Sequence, residues 1–179
     1  MDDVNFTRAN FENARLDSAT FDRSNFTAAT FSNAAGINTG FSNAIMKGAQ
    51  LPGMTCHRCV FNDTDLSALR NGPLVTATHL SRADLSRSEF SRAKLDDVIL
   101  EATLLRSALL TDASFSRARL DSVDFADSNL QDASFDNASL ADIILSDYTI
   151  CTSGSQLETL QDQSCGGNPV QCECLQPAP

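Results

Sequence analysis

The chain has 179 residues, eleven Phe, one Tyr and no Trp, with 42% hydrophobic and 20% charged residues. That balance suits one folded domain with at most a tail, and excludes a disordered chain. A net charge of −10 and a pI near 4.4 exclude a nucleic-acid binder that works through a basic surface. No apolar run reaches the roughly 18 residues of a membrane span, and Met1-Asp2-Asp3 does not open a secretory leader.

From Phe6 onward a large apolar residue returns at every fifth position: Phe6, Phe11, Leu16, Phe21, Phe26, Phe31. The beat continues through Phe41, Met46, Leu51, Cys56, Phe61 and Leu66, then runs one residue out of phase from Leu80 to Ile150. Leu or Phe fills 10 of 13 slots in the first phase and 14 of 15 in the second. The residue two before each centre is small, as at Ala9, Ala14, Ala19, Ala83 and Ala93. A period of five fits neither a helix nor a strand. It fits a coil that turns a corner every five residues, four corners closing a 20-residue turn. Stacked at the strand spacing of about 4.8 Å, seven turns give a rod roughly 34 Å long. In that register Phe21, Phe41 and Phe61 form one interior ladder, and Leu80, Leu100, Leu120 and Leu140 another.

Motifs such as Ala9-Asn10-Phe11-Glu12-Asn13, Ala83-Asp84-Leu85-Ser86-Arg87 and Ser128-Asn129-Leu130-Gln131-Asp132 resemble those of pentapeptide-repeat proteins. The resemblance covers residues 4–150 and implies an all-β fold, a right-handed quadrilateral β-helix. Residues 151–179 are expected to form a short, cysteine-rich, partly helical C-terminal cap, since Ser155 and Glu158 have capping-box spacing and a solenoid end needs covering. No such cap precedes Val4, so a removed segment or a partner is expected at that end.

Three places break the pattern. Gly36 replaces a centre, and Pro52-Gly53 follows Leu51; both read as slight irregularities of one face. Between residues 67 and 79 the phase slips, so one unit is shortened or a small loop leaves the coil. The tail is the third.

Six cysteines fall into two groups. Cys56 and Cys59 have CxxC spacing, but in this register both point inward; buried free thiols are favoured over a disulfide, and redox or metal chemistry is the least favoured reading. Cys151, Cys165, Cys172 and Cys174 read as two local disulfides of unassigned connectivity, preferred to a zinc site. Disulfides imply an oxidising compartment. The family resemblance makes a thylakoid lumen plausible beside a periplasm.

Residues 1–119 carry 13 acids and 13 bases, so the whole net charge of −10 lies beyond Arg119. Asp112, Asp127, Asp132, Asp142 and Asp147 are the candidate acidic face for a basic protein partner. Alternatively they bond corner amides as Asx turns do, or hold a divalent cation weakly.

His57 and His79 belong to different turns, and no phosphate loop, dinucleotide fingerprint or metalloprotease motif occurs. Neither catalytic residues nor a cofactor or metal is expected. The sequence points to a non-enzymatic interaction or assembly scaffold without direct nucleic-acid binding. The family resemblance adds one rival, an acidic mimic of duplex DNA that binds DNA gyrase. A structural subunit of a larger membrane-associated complex is the other.

Overall fold

The computed structural model describes residues 1–67, 69, 78–146 and 149. The chain is a right-handed quadrilateral β-helix, and its ladder can be followed residue by residue. Asn5 pairs in parallel with Asn25, Asn25 with Ile45 and Ile45 with Asp65, each step being one 20-residue turn. The centres fall on four faces, which in chain order begin at Phe6 (face 1), Phe11 (face 2), Leu16 (face 3) and Phe21 (face 4). Seven coils stack, the first starting at Phe6 and the seventh at Leu130.

The corners explain why the repeat is five. On faces 1, 2 and 4 the N–H two residues before the next centre donates to the carbonyl of the present one, as from Ala9 to Phe6 at 2.9 Å and from Ala29 to Phe26 at 2.9 Å. The third residue of each such turn must take a positive φ. It does so at corner after corner, from 55° at Asn33 to 66° at Gly53. Asn and Asp tolerate this region best among residues with a side chain. Among the described residues they hold 12 of the 24 non-glycine positive-φ positions, and Arg holds seven.

Face 3 is flatter. There the chain stays extended for three residues and forms β1 (Ala35–Ile37), β2 (Thr55–His57), β3 (Ile99–Glu101), β4 (Arg119–Asp121) and β5 (Ser139–Ala141). β1 pairs with β2, and β3–β4–β5 follow in order, all parallel. Leu100, Leu120 and Leu140 lie in register as the interior ladder.

Inside, equivalent rings lie over one another. Phe21, Phe41 and Phe61 stack at 5.4 and 4.8 Å between centroids, Phe11 on Phe31 at 4.9 Å and Phe115 on Phe135 at 5.0 Å. Rings from neighbouring faces meet edge to face, as Phe31 does Phe41, an arrangement that aromatic quadrupoles favour. The small position two before each centre leaves room for these rings. Where it is Thr, the hydroxyl donates to a carbonyl of the preceding coil, as from Thr39 to Leu16 at 2.8 Å, Thr64 to Phe41 at 2.8 Å and Thr103 to Leu80 at 2.9 Å, whereas Ser128 donates to Phe125, three residues before it, at 2.6 Å. These buried hydroxyls are therefore satisfied.

Two of the expected irregularities are regular. Gly36 lies within β1 with no bulge. A Cβ there would come 2.5 Å from Thr39 Oγ1 and 3.4 Å from Cys56 Sγ, so glycine is demanded by crowding inside the coil. Pro52-Gly53 forms an ordinary corner, with the Pro52 carbonyl accepting from Asn33 at 2.8 Å. The phase slip is an insertion. Thr55 pairs with His79, Val60 with Asp84 and Asp65 with Glu89, a step of 24 instead of 20. Leu69 and Thr78 are both buried at the small inward position, so the four extra residues enter between them.

Candidate interaction surfaces

With the centres and the small positions turned inward, chemistry is left to three outward positions per unit. They are the residues just before and just after each centre, and the corner residue. Each forms a row along the rod at the coil spacing.

The row before the centre is largely self-satisfied. Asn25, Asp84, Asp124 and Asn129 each accept, through Oδ1, the backbone N–H two residues on, at 2.9–3.0 Å. This is an Asx turn, made by the residue before the centre and not by the corner acids Asp112, Asp127, Asp132 and Asp142, and it fixes the chain as it leaves each centre. Asp124 is also buried, and its second oxygen accepts from Arg106 Nε.

The corner rows carry ion pairs that link successive coils. Arg23 binds Asp3, Arg87 binds Asp63 and Arg117 binds Asp97, each through Nε and one terminal nitrogen to the two carboxylate oxygens. The hydrogen bond from its arginine is the main cause holding each of these three carboxyls below the usual carboxylate range. Sequence reasoning passed over these pairs, although each joins corner positions one full turn apart, a relation that stacking the corners by turn could have signalled.

The candidate acidic face divides. Asp112 and Asp132 occupy successive positions of the corner after face 1, Asp127 the corner after face 4, and Asp142 the corner after face 3. All four are exposed, but they ring the rod on three of its corners and do not share one face. Asp127 is engaged with the Ser146 hydroxyl, which donates to Oδ1 at 2.6 Å. Asp147 lies outside the described residues, as do Cys151, Cys165, Cys172 and Cys174.

Face 3 holds both histidines. Thr55 and His79 are register partners, which sets His57 and His79 diagonally on adjacent strands. They border an open depression of about 360 Å³ with Arg15, Asp17, Ile37 and Ser81. Among the described residues no group of three or more His, Cys, Asp or Glu is placed to hold a metal ion. Beneath the depression Cys56 and Cys59 are joined by a disulfide, Cα to Cα 5.6 Å. Both are buried, as their register implies, but the favoured expectation of free thiols does not describe them. A centre and the next small position both face the interior around one corner, which brings their Cα atoms within disulfide reach.

Among the described residues no helix is long and apolar enough to cross a membrane. No curated protein matches the sequence. Among solved structures, a trypsin-treated variant of QnrB1, a plasmid-mediated fluoroquinolone resistance protein, aligns with a TM-score of 0.53 at 16% identity, over 81% of this chain and 88% of its own. Rfr23, a pentapeptide-repeat protein from the cyanobacterium Cyanothece, aligns with a TM-score of 0.34 at 16% identity, over 79% of this chain and 90% of its own. A pentapeptide-repeat protein of the Arabidopsis thaliana thylakoid lumen aligns with a TM-score of 0.21 at 17% identity, over 72% and 62%. The sequence signature of pentapeptide repeats matches in eight copies at residues 1–35, 76–101 and 108–147, more than half of the chain. Repeat, corner geometry and signature agree, and this chain belongs to the pentapeptide-repeat family.

Proposed function

We propose that this protein is a non-enzymatic scaffold that binds other proteins through the outer rows of its β-helix. One observation carries the reading: side chains fill the interior coil after coil, from buried Leu16 to buried Ile143. The depression on face 3 lies open at the surface, unlike the enclosed pockets substrates occupy. Polar chemistry is thus presented as ladders of charge along a rigid rod, a form suited to recognising another macromolecule. The repeats over 4–150 supply that surface.

The partner fitting the last coils is basic, because no Lys or Arg follows Arg119. Imitation of duplex DNA is the weaker reading. DNA carries one charge per roughly 1.7 Å, whereas the acid-only stretch covers only about two described coils, near 10 Å. The buried disulfide favours an oxidising compartment, a thylakoid lumen or a periplasm.

The test presents extract from the native source to the immobilised full chain and to a variant carrying Asp112→Asn, Asp127→Asn, Asp132→Asn and Asp142→Asn. The reading expects a protein held by the wild type, eluted by salt and lost by the variant. Equal recovery on both would overturn the acidic surface as the docking region. Inhibition of gyrase supercoiling at low micromolar protein would replace the scaffold with the mimic.

A further inference from the structure

Charge along face 3 changes sign with height. In coils 3 and 4 the face and its following corner present His57, Arg58, His79 and Arg82, all exposed. Neither arginine is in an ion pair with a described acid, whereas Arg23, Arg87, Arg106 and Arg117 all are. Arg58 and Arg82 are consecutive in the corner row, the Arg58 N–H donating to the carbonyl of Ser81 at 3.2 Å. In coils 6 and 7 the same strip presents Asp121 and, in the same corner row, Asp142, with one base, Arg119, in coil 6. Coil 5 lies between them with Ile99 and Glu101, the latter bound to Arg119 at 3.4 Å. The surface therefore reads positive, apolar with a neutralised pair, then negative, at equal steps on either side of coil 5.

We propose that face 3 is a self-recognition surface that joins two copies of this chain side by side and antiparallel, with the two-fold axis at coil 5. A two-fold axis across the rods reverses height and preserves lateral position, so each corner row meets its own counterpart. Arg58 then faces Asp142 of the second copy, and Arg82 faces Ser122 beside Asp121. Ile99 meets Ile99 on the axis, and the Glu101 charges are offset by Arg119. Each cross-pair occurs twice, because the interface is isologous. The strands β3, β4 and β5 make this face flat enough for two rods to approach along several coils, about 24 Å for coils 3 to 7. So short and charged a contact is salt-sensitive. The proposal rests on the interaction reading above and names one partner for the same surface.

Sedimentation velocity of the full chain at tens of micromolar tests it. In 20 mM salt a dimer is expected, dissociating to monomer by about 300 mM. The variant Arg58→Asp/Arg82→Asp and the variant Asp121→Arg/Asp142→Arg should each be monomeric, with dissociation constants raised at least tenfold. The corners already hold both Arg and Asp at positive φ, and Asp121 is a partly exposed end of β4, so both variants should keep the wild-type circular dichroism. Mixed in equal amounts, the two variants place acid against base throughout and should form a heterodimer. A monomer at every salt concentration, or a dimer that neither variant weakens, would overturn the proposal. Retention of a heterologous partner in the preceding test would be untouched by that result.

Discussion

Arg117 clasps the carboxylate of Asp97 in the preceding coil, Nε to Oδ1 at 2.9 Å and Nη2 to Oδ2 at 2.7 Å. Arg23 with Asp3 and Arg87 with Asp63 repeat the clasp elsewhere along the corners. Each hydrogen bond favours the ionised carboxyl, so the folded state holds these protons less tightly than the unfolded chain. The stabilisation is present above the ordinary carboxylate pKa, near 3.9, and is lost as pH falls through the lower folded value. The melting temperature should stay level from pH 7 to about 5 and fall below about 4. Asp97→Asn should cost only about a degree or two at pH 7, because the pair is exposed, and should shrink the acid-dependent fall. Thermal melts of wild type and variant across pH check both statements.

The ring ladder predicts where truncation is most damaging. Phe41 is fully buried between Phe21 and Phe61, whereas Phe6, in the first coil, is only partly covered. Phe41→Ala should cost about 3–5 kcal/mol, and Phe6→Ala roughly half of that. Urea denaturation followed by circular dichroism measures both. Equal costs would contradict a core whose interior coils are the more tightly packed.

The inward pattern was legible because burial in a narrow square tube leaves the sequence little choice. Every Phe keeps the five-residue beat, and the Phe21–Phe41–Phe61 ladder follows from it directly. The disulfide was harder, since the register places Cys56 and Cys59 inside but does not distinguish two thiols from one bond. The spread of the acidic positions was harder to see for a different reason. Asp112, Asp127, Asp132 and Asp142 are close in sequence, but a four-cornered turn sends them to three different corners. Stacked by 20 residues, Asp112 and Asp132 fall in one row, as the structure has them, while Asp127 and Asp142 fall in two others. The same exercise would have found Arg117 over Asp97, and the insertion is visible as the change of step from 20 to 24.

The bond between Cys56 and Cys59 closes a very short loop. Loop-closure entropy gives such a bond about 2 kcal/mol, far less than a long-range bridge would supply. Cys56→Ser/Cys59→Ser should therefore fold, with stability reduced by about that amount plus the cost of burying two hydroxyls. Intact mass after alkylation without reductant should show these two cysteines protected in protein from its native source. Six alkylated cysteines would remove the oxidising compartment from the functional reading.

Gly36 and Thr39 test the interior at its tightest point. They are the positions one coil before Cys56 and Cys59, and the disulfide below them occupies space that a large centre fills elsewhere. Adding a Cβ at residue 36 drives it into Thr39 Oγ1, whose own hydrogen bond to the Leu16 carbonyl holds it in place. Gly36→Ala should thus cost about 1–3 kcal/mol by overpacking. That loss comes although alanine is otherwise the easier residue to order in a strand, and residue 36 has no positive φ to strain. Thr39→Ala alone should cost about 1 kcal/mol for the lost hydrogen bond, which leaves the Leu16 carbonyl without that donor. Combined, the two should be less damaging than their sum by about 0.5 kcal/mol or more, because the second substitution clears the space the first one needs. Chemical denaturation of the four proteins in the cycle measures this coupling. Strict additivity would mean that the coil relaxes around residue 36, and that glycine there is not required by the crowding between Thr39 and the disulfide.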